Sequence, residues 1–196
     1  MHKKIIIYMM GGLGNQLFMF AYAKEIQMNL GSDYSIYIID SFYKRNHIRN
    51  LEIMKTVFSN DITVCKNTTI SFFDSVTFSL SRLIYRFLFK FLNKDSAFFR
   101  KLYPFWAKLG FLFNLDNQYR PLDMELIKKR KTIFLFGYFQ NVKYFPNSGP
   151  YMRRAFSSID ATQIIEKFES RAGGTVKLTC LSIRVGDDFK KNGWFI

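Results

Sequence analysis

The stretch that most constrains this chain is Gly11-Gly12-Leu13-Gly14-Asn15-Gln16-Leu17-Phe18. Before it stands Lys4-Ile5-Ile6-Ile7-Tyr8-Met9-Met10, a short apolar run rich in β-branched side chains, which predicts a buried strand. After it, Leu17 to Met28 contains no Gly or Pro and is rich in good helix formers, which predicts a helix. Three glycines therefore fall where a strand becomes a helix. Glycine tolerates positive φ and lets another molecule approach the backbone. A helix start also offers unpaired N–H groups that suit anions or sugar hydroxyls. Two generic nucleotide motifs are excluded. A dinucleotide fingerprint needs a glycine where Leu17 stands, and a P-loop needs Gly-Lys-Ser/Thr. A strand-to-helix turn requires no ligand, but neither does it require two successive amides. Asn15 and Gln16 can exchange hydrogen bonds with hydroxyls.

The same grammar recurs along the chain. Ser35 to Asp40 predicts a second strand, which with the first makes a βαβ unit and implies a parallel sheet with helices on its faces. Asp40 falls at the strand's carboxyl end, where such sheets bind ligands, although a helix cap is the simpler reading. Arg45 to Phe58 reads as a loop and short helix, and Ile62 to Cys65 as a short strand. Thr132 to Phe136 predicts another strand, followed by Gly137-Tyr138-Phe139-Gln140. Tyr138 offers a stacking ring and Gln140 an amide, a pair suited to a sugar or equally to a packed strand end. Tyr151 to Arg171 predicts a helix that Ala172-Gly173-Gly174 terminates, and the glycine pair is the expected domain boundary. Val176 to Ile183 predicts a strand running into Arg184-Val185-Gly186-Asp187, where a planar guanidinium beside a glycine turn can grip a diphosphate in two bonds.

Between these lies Phe78 to Leu92, where Leu80, Leu83, Ile84, Phe87, Leu88 and Phe91 recur at helical spacing and Arg82, Arg86 and Lys90 lie on another face. An aromatic-rich run through Phe98, Trp106 and Phe113 comes next. This reads either as a core-packed helical insertion or as a helix lying on an anionic membrane face. Composition bears on the choice. Lysine and arginine number 29 against 15 acids, a formal charge of +14, which favours anionic partners. No stretch approaches a spanning helix. The apolar run before the glycines is too short for a secretory signal core. Cys65 and Cys180 form neither a disulfide framework nor a metal-ligand spacing, so a cytoplasmic protein, at most held at the inner face of the membrane, is expected.

With Phe20-Ala21-Tyr22-Ala23 behind it, the octapeptide resembles the N-terminal signature of bacterial α-1,2-fucosyltransferases, glycosyltransferase family 11. Gly137-Tyr138-Phe139-Gln140 ahead of Lys143-Tyr144-Phe145 is similar to a segment at the matching place in that family. Arg184, Gly186 and Asp187 match its His-x-Arg-x-Gly-Asp motif, with Ser182 in place of the usual histidine, Val185 in place of a common second arginine, and Asp188 in place of a common aromatic.

The resemblance implies an α/β protein of GT-B-like type. An N-terminal acceptor-side domain would cover residues 1–172, with a helical, aromatic-rich insertion at about 78–130. Residues 175–196 would begin a Rossmann-like GDP-sugar-binding domain. Such a domain needs several strand–helix repeats, so the chain would span roughly the first two-thirds of the family, and a shortened, inactive relative is one expectation. The implied reaction moves L-fucose from GDP-β-L-fucose to the 2-hydroxyl of a terminal galactose, with inversion and without metal, in surface polysaccharide or O-antigen synthesis. Arg184, Asp187 and Asn15 would be catalytic. Gly12, Gly14, Asn15, Gln16, Arg184 and Gly186 would hold the donor, and Gln16, Tyr138 and Gln140 the acceptor glycan. GDP-fucose is a substrate here, so no cofactor is expected, and nucleic acid is not an expected partner. The alternatives are a relative with another sugar nucleotide or linkage, and a non-catalytic basic module bound to membrane or nucleic acid. Binding by the latter would fall steeply with salt.

Overall fold

The computed structural model of the chain describes residues 3–45, 49–65, 72–91, 97–114 and 118–157. Arg184, Gly186, Asp187, the strand expected before them and the Ala172–Gly174 boundary lie outside these residues. By its internal contacts the chain divides into Met1–Arg153 and Arg154–Ile196. The sheet and the residues that meet at its carboxyl edge belong to the first unit.

Five strands form one all-parallel sheet: β1 (Lys3–Tyr8), β2 (Tyr34–Ile39), β3 (Ile62–Val64), β4 (Phe111–Asn114) and β5 (Thr132–Gly137). Their order is β3-β2-β1-β5-β4, with β1 in the centre. The chain therefore builds outward from β1 to β3 on one side, then returns through β4 and β5 on the other. The steps β1 to β2 to β3 and β4 to β5 run the same way across the sheet, and only the long step from β3 to β4 runs back to the far edge. In open parallel sheets ligands bind beyond the carboxyl ends of the strands.

The central strands are apolar on both faces, as burial on both sides demands. Register places Ile5 beside Ile36 and Ile133, and Ile7 beside Ile38 and Leu135, an aliphatic row that is fully or almost fully buried. On the other face, Phe111 pairs with Phe134 and Phe113 with Phe136. The Phe111 and Phe134 rings stack with centres 5.4 Å apart. Helix α1 (Leu13–Leu30) packs along β1, β2 and β5 and buries Met19, Phe20, Ala23 and Ile26. It begins four residues earlier than propensity suggests, so Gly14, Asn15 and Gln16 belong to its first turn. Glycine is tolerated there because the first N–H groups of a helix have no intrahelical partner to lose.

After the short helix α2 (Ser41–Arg45), two 3-10 turns, Glu52–Lys55 and Val57–Asp61, lead into β3. Helix α3 (Phe72–Phe91) lies on the aromatic face, with buried Phe78 stacked on Phe134 at 4.7 Å. Helix α4 (Ala97–Lys108) contains Pro104 and puts Trp106 edge-on to Phe113 at 5.6 Å. The span expected as a helical insertion thus also contributes β4, an edge strand of the sheet. Helix α5 (Ser148–Ser157) is the last described element. Its start is capped by Glu25 of α1. That buried carboxylate accepts from the Ser148 N–H at 2.7 Å, the Asn147 N–H at 2.9 Å and the Asn147 amide at 2.6 Å. A carboxylate at a helix N-terminus satisfies the orphan donors and opposes the dipole.

Candidate functional site

The turn from β1 to α1 is held by its own motif. Gly11 has φ +79°, and a Cβ there would sit 2.4 Å from Asn15 Nδ2, so conformation and space both demand glycine. Two donors pin the Gly11 carbonyl: Gln16 Nε2 at 3.0 Å and the Tyr43 hydroxyl at 2.9 Å. Gln16 is fully buried. Its amide also donates to the Asn50 carbonyl at 2.8 Å and accepts from the Ile53 N–H at 2.8 Å. This side chain, expected at a sugar, instead grips the 49–53 loop and the turn, with no part of it facing solvent. Its neighbour differs. Asn15 is only half-buried, and its Oδ1 accepts a 2.5 Å hydrogen bond from Nε2 of exposed Gln140.

Gln140 stands just past β5. The backbone there is tightly constrained. Gly137 has φ +138°, and a Cβ on it would fall 1.8 Å from the Asn114 carbonyl oxygen of β4. Phe139 is a non-glycine residue with φ +52°, buried and packed on Tyr22 at 4.6 Å between ring centres. Aromatic packing holds this left-handed residue, a kind of strain concentrated at functional loops. The result turns Tyr138 and Gln140 toward the end of the sheet while Phe139 anchors between them. Tyr138 is half-buried and donates its N–H to Asn114 O at 3.1 Å.

Six of the expected positions, Gly12, Gly14, Asn15, Gln16, Tyr138 and Gln140, therefore gather beyond the carboxyl ends of β1 and β5. Sequence reading missed three contributors. Arg49 places a guanidinium nitrogen 3.3 Å from the position a Gly12 Cβ would take. Tyr43 locks the turn from α2. Asn114 supplies the close backbone approach at Gly137. These meet the turn through space, and no local sequence pattern announces them. Asp40 behaves as the simpler reading holds: its carbonyl accepts from the Tyr43 N–H, and its carboxylate pairs with Lys44 at 3.0 Å.

The start of α1 is electropositive. Gly12 at its N-cap offers no side-chain bond, the first turn contains no acid, and the Arg49 guanidinium is adjacent. Around Gly14 nothing approaches within 4 Å of a virtual Cβ, so its bare face is open. Burial raises the Tyr43 phenol well above its ordinary value. The Gln16 amide offsets part of this, and Tyr138 and Glu52 add to it. The phenol is therefore a hydrogen-bond donor throughout the physiological range.

A separate cavity of about 220 Å³ lies beside the middle and end of α1, lined by Tyr22, Glu25, Tyr119, Lys143 and Asn147 among others. None of the expected site residues that are described borders it. Among the described residues no group of three or more His, Cys, Asp or Glu side chains could hold a metal ion. Comparison of the chain with protein-family models, with curated proteins and with solved structures finds no match.

Proposed function

We propose that this chain carries the acceptor-side α/β domain of an inverting glycosyltransferase of GT-B-like type, a galactoside 2-α-L-fucosyltransferase that uses GDP-β-L-fucose. The observation that carries the reading is the Asn15–Gln140 hydrogen bond. It joins the two motifs of the N-terminal part that resemble the family, and it lies beyond the carboxyl ends of two adjacent parallel strands, the end at which such sheets bind ligands.

In this reading the galactose 2-hydroxyl oxygen attacks fucose C1. The C1–O bond to the diphosphate breaks, GDP leaves with the electron pair, and the hydroxyl proton passes to a base. Asn15 has no titratable group, so its part is to orient hydroxyls, with Gln140 fixing the amide's orientation. Tyr138 supplies a ring face and Gln140 an amide to the acceptor. The open start of α1, with Gly12, Gly14 and the adjacent Arg49, suits the donor's negative charge. Gln16 acts one step back, as the residue that positions the turn. Arg184 is assigned the departing diphosphate, Asp187 the orientation of Arg184, and Gly186 the close approach of backbone to phosphate; these three assignments rest on sequence.

The test is calorimetric titration of GDP-fucose, GDP-mannose and UDP-galactose into the chain and into Arg184→Ala, with transfer to a galactose-terminated oligosaccharide followed alongside. Preference for GDP-fucose, lost in Arg184→Ala, and a new linkage at O2 are expected. Equal binding of the three nucleotides would sink the donor assignment, and an unaffected Arg184→Ala its role. A preferred donor other than GDP-fucose would move the chain to a related transferase.

A further inference from the structure

Helix α3 buries one side against the sheet and leaves an apolar row of its other side exposed. Inward, Phe78 and Ser81 are buried, and the Arg82 guanidinium lies over the Tyr8 ring at 4.7 Å. Outward, Phe72, Val76, Leu80, Leu83 and Phe87 succeed one another at helical spacing and form a single row. Every one of them is exposed, from 49% at Val76 to 86% at Phe72, with Ile84 on the border at 39%. The outward row of a helix on a globular protein is normally polar. A contiguous exposed apolar strip marks an interaction surface.

The charge around the row indicates what it meets. Arg86 and Lys90 are exposed on the same helix, whose sequence carries one acid, Asp74. Helix α4 repeats the pattern, with exposed Phe105 beside exposed Lys101 and Lys108. A second copy of this chain would bring these cations, and a formal charge of +14, against their like. An anionic lipid surface offers the complement: phosphate headgroups for the cations and acyl chains for the apolar row. Among the described residues no helix is long and apolar enough to cross a membrane, so α3 would lie along the surface.

We infer that α3 is a membrane-surface helix, seating its Phe72–Phe87 row among the acyl chains of an anionic bilayer with Arg86 and Lys90 at the headgroups. The inference is independent of the sugar chemistry proposed above.

The experiment is flotation of the chain with vesicles of phosphatidylcholine alone or mixed with phosphatidylglycerol, at low salt. The chain should float with the mixed vesicles and at least about tenfold less with the neutral ones. Leu80→Gln/Leu83→Gln should lower binding to the mixed vesicles by about tenfold. Arg86→Gln/Lys90→Gln should lower it on the mixed vesicles only. All four side chains are exposed, so thermal melts by circular dichroism should coincide with that of the parent chain, which separates loss of the surface from loss of the fold. Leu83→Gln alone, at 66% exposure, should keep the same ordering. No flotation of the parent chain overturns the inference, as does undiminished flotation of the leucine variants. So does a dimer in sedimentation without lipid that Leu80→Gln/Leu83→Gln abolishes, which would give the row to a second copy.

Discussion

Gln140 Nε2 donates to Asn15 Oδ1 across 125 positions of sequence, and the bond bridges the ends of two adjacent parallel strands. Gln140 is exposed, so water can replace the bond and its net contribution to stability is at most about 1 kcal/mol. Its value lies in fixing which way the Asn15 amide points. Asn15→Ala and Gln140→Ala should therefore melt close to the parent chain, and if the chain transfers fucose as proposed, each should lower kcat/KM by about tenfold or more. The double variant should be little worse than the worse single one, because the two act as a unit. Fully additive losses would show that the amides serve separate ends.

Gln16, one residue on, should behave in the opposite way. Its amide makes three hydrogen bonds to backbone groups in a fully buried setting. Gln16→Ala strands the Ile53 N–H and leaves the Gly11 and Asn50 carbonyls with only the Tyr43 hydroxyl and the Glu52 N–H, and should cost about 2 kcal/mol, read as a lower urea midpoint at unchanged slope. Gln16→Glu should be no better, since a carboxylate cannot donate to Gly11 or Asn50. A Gln16→Ala chain as stable as Asn15→Ala would remove the clamp assignment.

The glycines of the motif should separate by geometry. Gly11→Ala and Gly137→Ala each meet both positive φ and a blocked Cβ position, the second against backbone, so each should cost about 3 kcal/mol or prevent folding. Gly14 has open space and lies in the first turn of α1, where alanine is the better helix former. Gly14→Ala should leave stability unchanged or raise it by up to about 1 kcal/mol. If its bare face receives the donor, the same substitution weakens GDP-fucose binding. Unaltered binding would mean that Gly14 contacts no ligand.

Which parts of the fold are legible in the sequence depends on which interactions are local. The β1 strand, the glycine turn, α1 and the parallel pairing with β2 are local patterns, and periodicity and composition carry them. Propensity misplaces the start of α1 because glycine and asparagine count against a helix interior yet cost little where N–H groups are unpaired. The β4 strand escapes detection because Phe111 to Asn114 is four residues long, too short to display alternation, and buried on both faces. The apolar row of α3 is visible as a stripe, but spacing alone does not say whether a stripe meets core or solvent. The two amides of the motif look alike in sequence. One is a clamp and the other meets Gln140 past the strand ends, because Gln16 bonds to Asn50 and Ile53, 34 or more residues away. Nothing near Gln16 encodes that meeting.

Alkaline pH should act through Tyr151. The Tyr151 hydroxyl donates to Asp61, whose other oxygen pairs with Lys24 at 3.1 Å, tying α5, the turn before β3 and α1 together. Burial pushes the Tyr151 phenol up to about 12, and the hydrogen bond to Asp61 and the carboxylate's charge push it the same way. In the unfolded chain it titrates near its ordinary value of 10.0. Between these values the native state keeps a proton that the unfolded state has released, so stability falls as pH rises. The contribution is complete below about pH 10 and is lost as pH rises through about 12. Solvent screening at this half-buried site keeps it near ~1 kcal/mol. Tyr43, Tyr34 and Tyr22 are also raised by burial, so the parent chain alone would not isolate the effect. The difference in unfolding free energy between the parent chain and Tyr151→Phe does isolate it. That difference should be constant from about pH 7 to 9 and shrink above about pH 10, whereas one that stays level to about pH 12 would mean the Tyr151–Asp61 bond does not hold α5 to the sheet.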